Sequence, residues 1–114
     1  MRYAIAMTDI EGTWDALEPE RQQEILTAHE RLKTELRAAG RYVDALHFHP
    51  RSEARTVRMH TDGSLTTSAG PFSQADEYVG GIYVIEADSM DEAVAWAEKA
   101  RFMIGANEVR QIWD

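Results

Sequence analysis

The sequence predicts an α+β fold in which two β-α-β units share one antiparallel sheet and a β-hairpin is inserted between them. Three observations carry this. Residues 79–87 form the most apolar stretch of the chain, with Ile82, Tyr83, Val84 and Ile85 occupying both faces of a period-two ribbon. Residues 19–39 and 90–101 show the punctuation of helices. The dipeptide Asp62-Gly63, flanked by alternating residues, marks a tight hairpin.

Taken in order, Arg2–Met7 reads as a strand with Tyr3, Ile5 and Met7 on one face and Ala4 and Ala6 on the other, lying beside 79–87. Residues 8–18, with Asp9, Glu11, Gly12 and Asp15, read as a polar connector. Pro19 suits the first helical turn, Glu20 its positive dipole end and Gly40 the position past its last turn. Within that helix Ile25, His29, Leu32, Leu36 and Ala39 form one stripe, which places His29 in an apolar seam. A second strand over 41–49 ends at Pro50. The hairpin spans 55–61 and 64–67, with both central residues of its turn expected at positive φ. Gly70-Pro71 builds a loop that delivers Phe72 toward the mouth of the central strand. Ser89-Met90-Asp91-Glu92 is a capping box opening a helix whose Ala93, Ala97 and Ala100 permit close docking. The strand 108–113 closes the sheet.

With right-handed crossovers both helices fall on one sheet face, the ferredoxin-like plan. The chain then has no third helix for the other face, and a second copy packed sheet against sheet is the expected cover. A single domain over 1–114 is expected, because no composition break, repeat or linker interrupts the chain.

Composition excludes several functions. The chain has no cysteine, which removes thiol catalysis, Cys-zinc sites and disulfides. A formal net charge of -8 opposes nucleic-acid binding, which rests on Lys and Arg at phosphates. No run approaches the roughly eighteen apolar residues of a membrane span, so no membrane partner and a cytoplasmic location are expected. Gly80-Gly81 lacks the surroundings of a phosphate loop and reads instead as a close backbone approach.

The segments Ala69-Gly70-Pro71-Phe72, Gly80-Gly81-Ile82-Tyr83-Val84-Ile85-Glu86, Asp91-Glu92-Ala93, Trp96-Ala97 and Glu108-Val109-Arg110, with Pro19-Glu20 and Leu36-Arg37-Ala38-Ala39-Gly40, resemble the YCII-related proteins, in the branch named for an Asp-Gly-Pro-Phe motif. The likeness spans essentially the whole chain. It implies a dimeric α+β barrel, related in fold to muconolactone isomerase and to monooxygenases that need no cofactor. It also implies a His eleven residues before the helix-ending Gly, the place of His29, acting in acid/base work with an Asp. The acidic residue of the motif is Ala69 here, and the Gly-Pro-Leu segment after the second strand is absent, which leaves Asp44 and Asp9 as substitutes.

The expected site is therefore His29 with Asp44 as catalytic pair, and His47, Arg58, Phe72 and Tyr83 as ligand-binding residues, without cofactor or metal. Arg55, Arg58 and Arg110 are candidates for gripping a carboxylate. A His47, His49 and His60 metal site is a further alternative. Two functions stand side by side: a cofactor-free isomerase, lyase or dehalogenase-like enzyme, and a non-catalytic dimeric module that binds a small ligand or a protein.

Overall fold

A computed structural model shows the arrangement of the chain and describes residues 1–100 and 102–113. Its elements are β1 (Arg2–Ile10), α1 (Pro19–Ala38), β2 (Tyr42–His47), a 3₁₀ turn (Arg51–Glu53), β3 (Arg55–Met59), β4 (Leu65–Ala69), β5 (Glu77–Glu86), α2 (Met90–Lys99) and β6 (Asn107–Gln111). The final residue of the helix expected over 90–101 lies outside the described residues. The order β2-β5-β1-β6, antiparallel throughout, is the ferredoxin-like arrangement, with β3 and β4 forming a separate two-stranded sheet. The four-stranded sheet of the chain is open and does not close into a barrel. No helix among the described residues is long and apolar enough to cross a membrane.

The core lies on one face of the sheet. Tyr3 and Ile5 of β1, Tyr83 and Ile85 of β5, Leu32 and Leu36 of α1, and Ala93, Ala97 and Ala100 of α2 and its end are buried together. On the other face Ala4, Ala6, Ile82 and Val84 are only half-buried, and Leu46 is exposed. The central strand, expected to be buried on both sides, is thus covered on one side within a single chain.

Local chemistry explains the helix ends. Gly40 takes φ +71°, and the N–H groups of Gly40 and Arg41 donate to the carbonyls of Arg37 (3.0 Å) and Leu36 (2.8 Å), a Schellman closure. Ser89 accepts from the Glu92 amide at 3.1 Å. The Glu92 carboxylate reaches back to the Asp88 amide (3.1 Å) and also pairs with Arg41 Nε at 2.9 Å, so the start of α2 is tied to the chain leaving α1.

Two expectations change. The β1 strand does not stop at Met7: it runs to Ile10, because a bulge lets its polar end keep pairing with β5. Met7 faces Gly81 and Thr8 faces Val79, leaving Gly80 as the extra residue. The hairpin turn is not a two-residue turn with paired positive φ. Only Gly63 is left-handed (φ +85°), while His60 and Ser64 bracket a three-residue loop closed by His60 N–H to Ser64 O at 2.8 Å. Asp62 is spared that conformation, and its carboxylate accepts from the Ser64 amide (2.9 Å) and hydroxyl (2.7 Å).

The one-sided core yields a graded expectation. Leu36→Ala should lower unfolding free energy by about 3 kcal/mol, the usual scale for an emptied core site. Leu26→Ala, at an exposed position of the same helix, should cost less than about 1 kcal/mol. Urea unfolding of the two variants measures both.

Candidate functional site

The inward stripe of α1 carries Ile25, Leu32 and Leu36 into the core, and His29 sits among them at the margin of the sheet. Its Nδ1 lies 2.7 Å from the Tyr83 hydroxyl, projected from the middle of β5. The Phe102 ring packs on the imidazole with centroids 4.3 Å apart. Burial is the main reason that the His29 pKa falls to about 4, aided by Lys33 and His47 and opposed by Glu30. Burial likewise pushes Tyr83 up to about 12, with Glu30 and Tyr42 adding to it. At neutral pH both groups are uncharged. The tautomer decides the direction of this hydrogen bond: the Tyr83 O–H donates to Nδ1 when the imidazole proton is on Nε2, and the hydroxyl oxygen accepts from Nδ1–H in the other tautomer.

His29 and Tyr83 line a cleft of ≈ 1270 Å³ that runs from α1 past the end of β2 to the polar end of β1. Asp9 is on its wall. The Asp9 carboxylate occupies the space where any side chain at position 80 would begin, so the bulge residue must be glycine for this placement. Burial raises the Asp9 pKa, with the field of His47 opposing. Asp9 has no hydrogen-bond partner among the described residues, which leaves its oxygens available to a ligand. His47, opposite Gly81, lines the same cleft and acts electrostatically on both Asp9 and His29. On the far wall Arg51 is held by Glu11 (2.8 Å) and the Ala75 carbonyl (2.6 Å) and stacks on Tyr78 at 4.3 Å.

Of the residues singled out in the sequence, the fold therefore brings His29, Tyr83 and His47 together. Asp44 is not with them. It pairs with Val84, on the other side of the sheet from Tyr83, and its carboxylate accepts from the adjacent Ala45 amide at 2.8 Å. Arg58 is on the separate hairpin sheet and Phe72 is 79% exposed in the following loop; neither lines the cleft. His49 lines it, whereas His60 bonds Thr66 Oγ1 (2.9 Å) on the hairpin, and no group of three or more potential metal-binding His, Asp or Glu side chains occurs among the described residues. Asp9 entered the sequence reading only as a substitute acid on an expected connector. The signal that locates it is the Gly80-Gly81 pair across from it. A smaller hollow of ≈ 410 Å³ between α2 and β6 is walled by Met90, Val94, Met103 and Val109 and offers no comparable chemistry.

The model of the YCII-related domain matches residues 1–114. The chain belongs to the YCII-related family. It is also similar to an uncharacterized protein of Rhizobium meliloti (strain 1021), 31% identical over 118 residues that cover 98% of this chain and 92% of the relative. In this chain one cleft holds a neutral imidazole bonded to a tyrosine and a carboxylate with a raised pKa that has no hydrogen-bond partner among the described residues.

Two expectations follow. Because the folded-state pKa of His29 lies below that of the unfolded chain, folding excludes its proton, and stability is complete above pH 6.5 and lost as pH falls toward about 4. The shift corresponds to about 3 kcal/mol at full weight, and the ring's partial exposure reduces this to about 2 kcal/mol. The difference in stability between the wild type and His29→Gln should therefore shift by about 2 kcal/mol between pH 7 and pH 4, measured by urea unfolding at each pH. Separately, Gly80→Ala should stay folded at a cost of about 1 kcal/mol while expelling the Asp9 carboxylate, so that the Asp9 pKa, followed by carbon NMR, drops toward 3.8.

Proposed function

We propose that this protein is a cofactor-free enzyme that moves a proton on a small organic carbonyl compound, an isomerase or lyase, in the cytoplasm, with Asp9 as base and His29 as hydrogen-bond donor. The observation that carries this reading is the sharing of one cleft by a carboxylate whose pKa is raised and an imidazole whose pKa is lowered, the separation that divides acid from base. An imidazole with pKa about 4 and an occupied Nδ1 is a poor base at neutral pH but a good neutral donor through Nε2. Asp9 is the better base. In the proposed step the carboxylate takes a proton from the carbon beside the carbonyl, the C–H electron pair becomes part of an enolate, and the Nε2–H hydrogen bond stabilises the developing oxyanion. Return of the proton to a different carbon gives isomerisation, and departure of a leaving group gives elimination. Asp44, on the opposite sheet face, takes no part in this step. The functional unit is proposed to be a homodimer whose open sheet faces meet.

A non-catalytic binding module is the second reading, favoured by one observation: His29 is wedged between Tyr83 and Phe102 with no carboxylate hydrogen-bonded to it among the described residues. The two separate in deuterium oxide. Incubated with a panel of small 2-oxo and 1,3-dicarbonyl compounds, the wild type should accelerate exchange of the carbon-bound proton, seen by proton NMR. Asp9→Asn should slow that exchange by about a hundredfold or more, with His29→Gln also slowed. Binding without exchange would establish the module, and an Asp9→Asn variant as fast as the wild type would remove Asp9 from the chemistry.

A further inference from the structure

Residues 55–69 stand apart from the rest of the fold. β3 and β4 pair only with each other, and the chain, with a radius of gyration of 16.2 Å and extents of 48 × 40 × 18 Å, is more drawn out than the roughly 13 Å expected for its length. The register places Arg55, Val57, Met59, Leu65, Thr67 and Ala69 on one face of the ribbon and Thr56, Arg58, Thr66 and Ser68 on the other. That alternation is the pattern of a strand pair with one covered side. Yet the apolar side is open: Val57 is 65% exposed, Met59 73% and Leu65 64%. A lone two-stranded ribbon is marginal in water, so this face is built to be covered.

Charge selects the cover. Arg55 and Arg58 against Asp62 give residues 55–69 a net charge of +1, which leaves -9 on the remainder of a chain of net -8. Neither arginine has an ion-pair partner among the described residues. A second copy of this chain offers an acidic body together with exposed apolar side chains, Leu46 and Phe48, along the β2 margin of its open sheet face, where they also line the mouth of the cleft. Asp44 on β2, and Glu108 on β6 opposite Ala6, add carboxylates to that face. A five-residue strand reaches about 17 Å, the width of a four-stranded sheet. We propose that the β3–β4 hairpin is an intersubunit clasp, its apolar face packed on the β2 margin of the second copy's open sheet face, and reciprocally by two-fold symmetry. The clasp rests on the proposed homodimer and adds the element that locks it.

The test uses the full chain, since the substituted side chains are exposed and circular dichroism checks that each variant keeps its fold. Sedimentation equilibrium at micromolar concentration should give twice the 12.9 kDa chain mass for the wild type. Met59→Glu/Leu65→Glu, and independently Arg55→Glu, whose side chain shares the apolar face, should weaken association about tenfold or more. In the wild-type dimer trypsin should cut slowly after Arg55 and Arg58, and quickly in the Met59→Glu/Leu65→Glu variant. A monomeric wild type overturns both the clasp and the dimer. Dissociation by Leu46→Glu, with both hairpin variants associating as the wild type does, keeps the dimer and overturns the clasp.

Discussion

The constraint on which the rest of this structure depends is the bulge at Gly80. β5 is the central strand, bonded to β1 on one side and β2 on the other, and it must meet both while the chain packs two helices on one face. Between Met7 and Thr8 the register slips by one residue. Without Gly80 that slip would put a side chain where the Asp9 carboxylate stands, and a side chain at Gly81 would meet the Leu46 carbonyl oxygen at 2.8 Å. Two adjacent glycines therefore satisfy two separate contacts, one with each neighbouring strand. The outcome is a sheet regular over Tyr3–Met7 that then redirects its polar end toward the cleft.

Electrostatics of the cleft follow from that redirection. His29, Tyr83 and Asp9 are each shifted mainly by burial and toward the uncharged form, and none of the three is held in a fixed ion pair. The arginine pairs of the molecule involve other side chains. Arg41 bridges Asp88 and Glu92 at the opposite end of the sheet, and Arg51 binds Glu11 at the rim. Placed beside His29, an arginine would hold Asp9 ionised with a low pKa and cost it basicity. No such partner stands by Asp9 among the described residues, which suits the role proposed for its carboxylate.

Much of this fold was legible because period and punctuation agree. The alternation in 79–87, the Pro19 and Gly40 brackets and the Ser89 box each specify an element independently of tertiary context, and each is found close to its expected bounds. The His29 stripe was legible for the same reason. What escaped was set by contacts between distant segments. Thr8, Asp9 and Ile10 look like a connector because their pattern is polar, and only the bulge 70 residues later keeps them in the strand. Asp44 looked equivalent to Asp9 because composition says nothing of sheet face, yet a single step of parity separates it from Tyr83. Phe72 is apolar without being covered, since nothing local to Gly70-Pro71 determines what its loop faces.

Parity also links the two proposals. Successive residues of β5 point to opposite faces, so Tyr83 and Ile85 reach the helices, with Tyr83 also lining the cleft, while Ile82 and Val84 reach the open side. The strand that orients His29 is thus the strand whose other face lacks cover in a single chain. Covering that face would remove apolar area from water and stiffen β5 against both neighbours, and stiffness in β5 fixes the Tyr83 hydroxyl that bonds His29 Nδ1. Hydrogen-bond donors contribute most when held in place before the substrate arrives. The proposed association on the open side and the proposed chemistry at His29 are therefore linked, because the same ten residues of β5 would carry both.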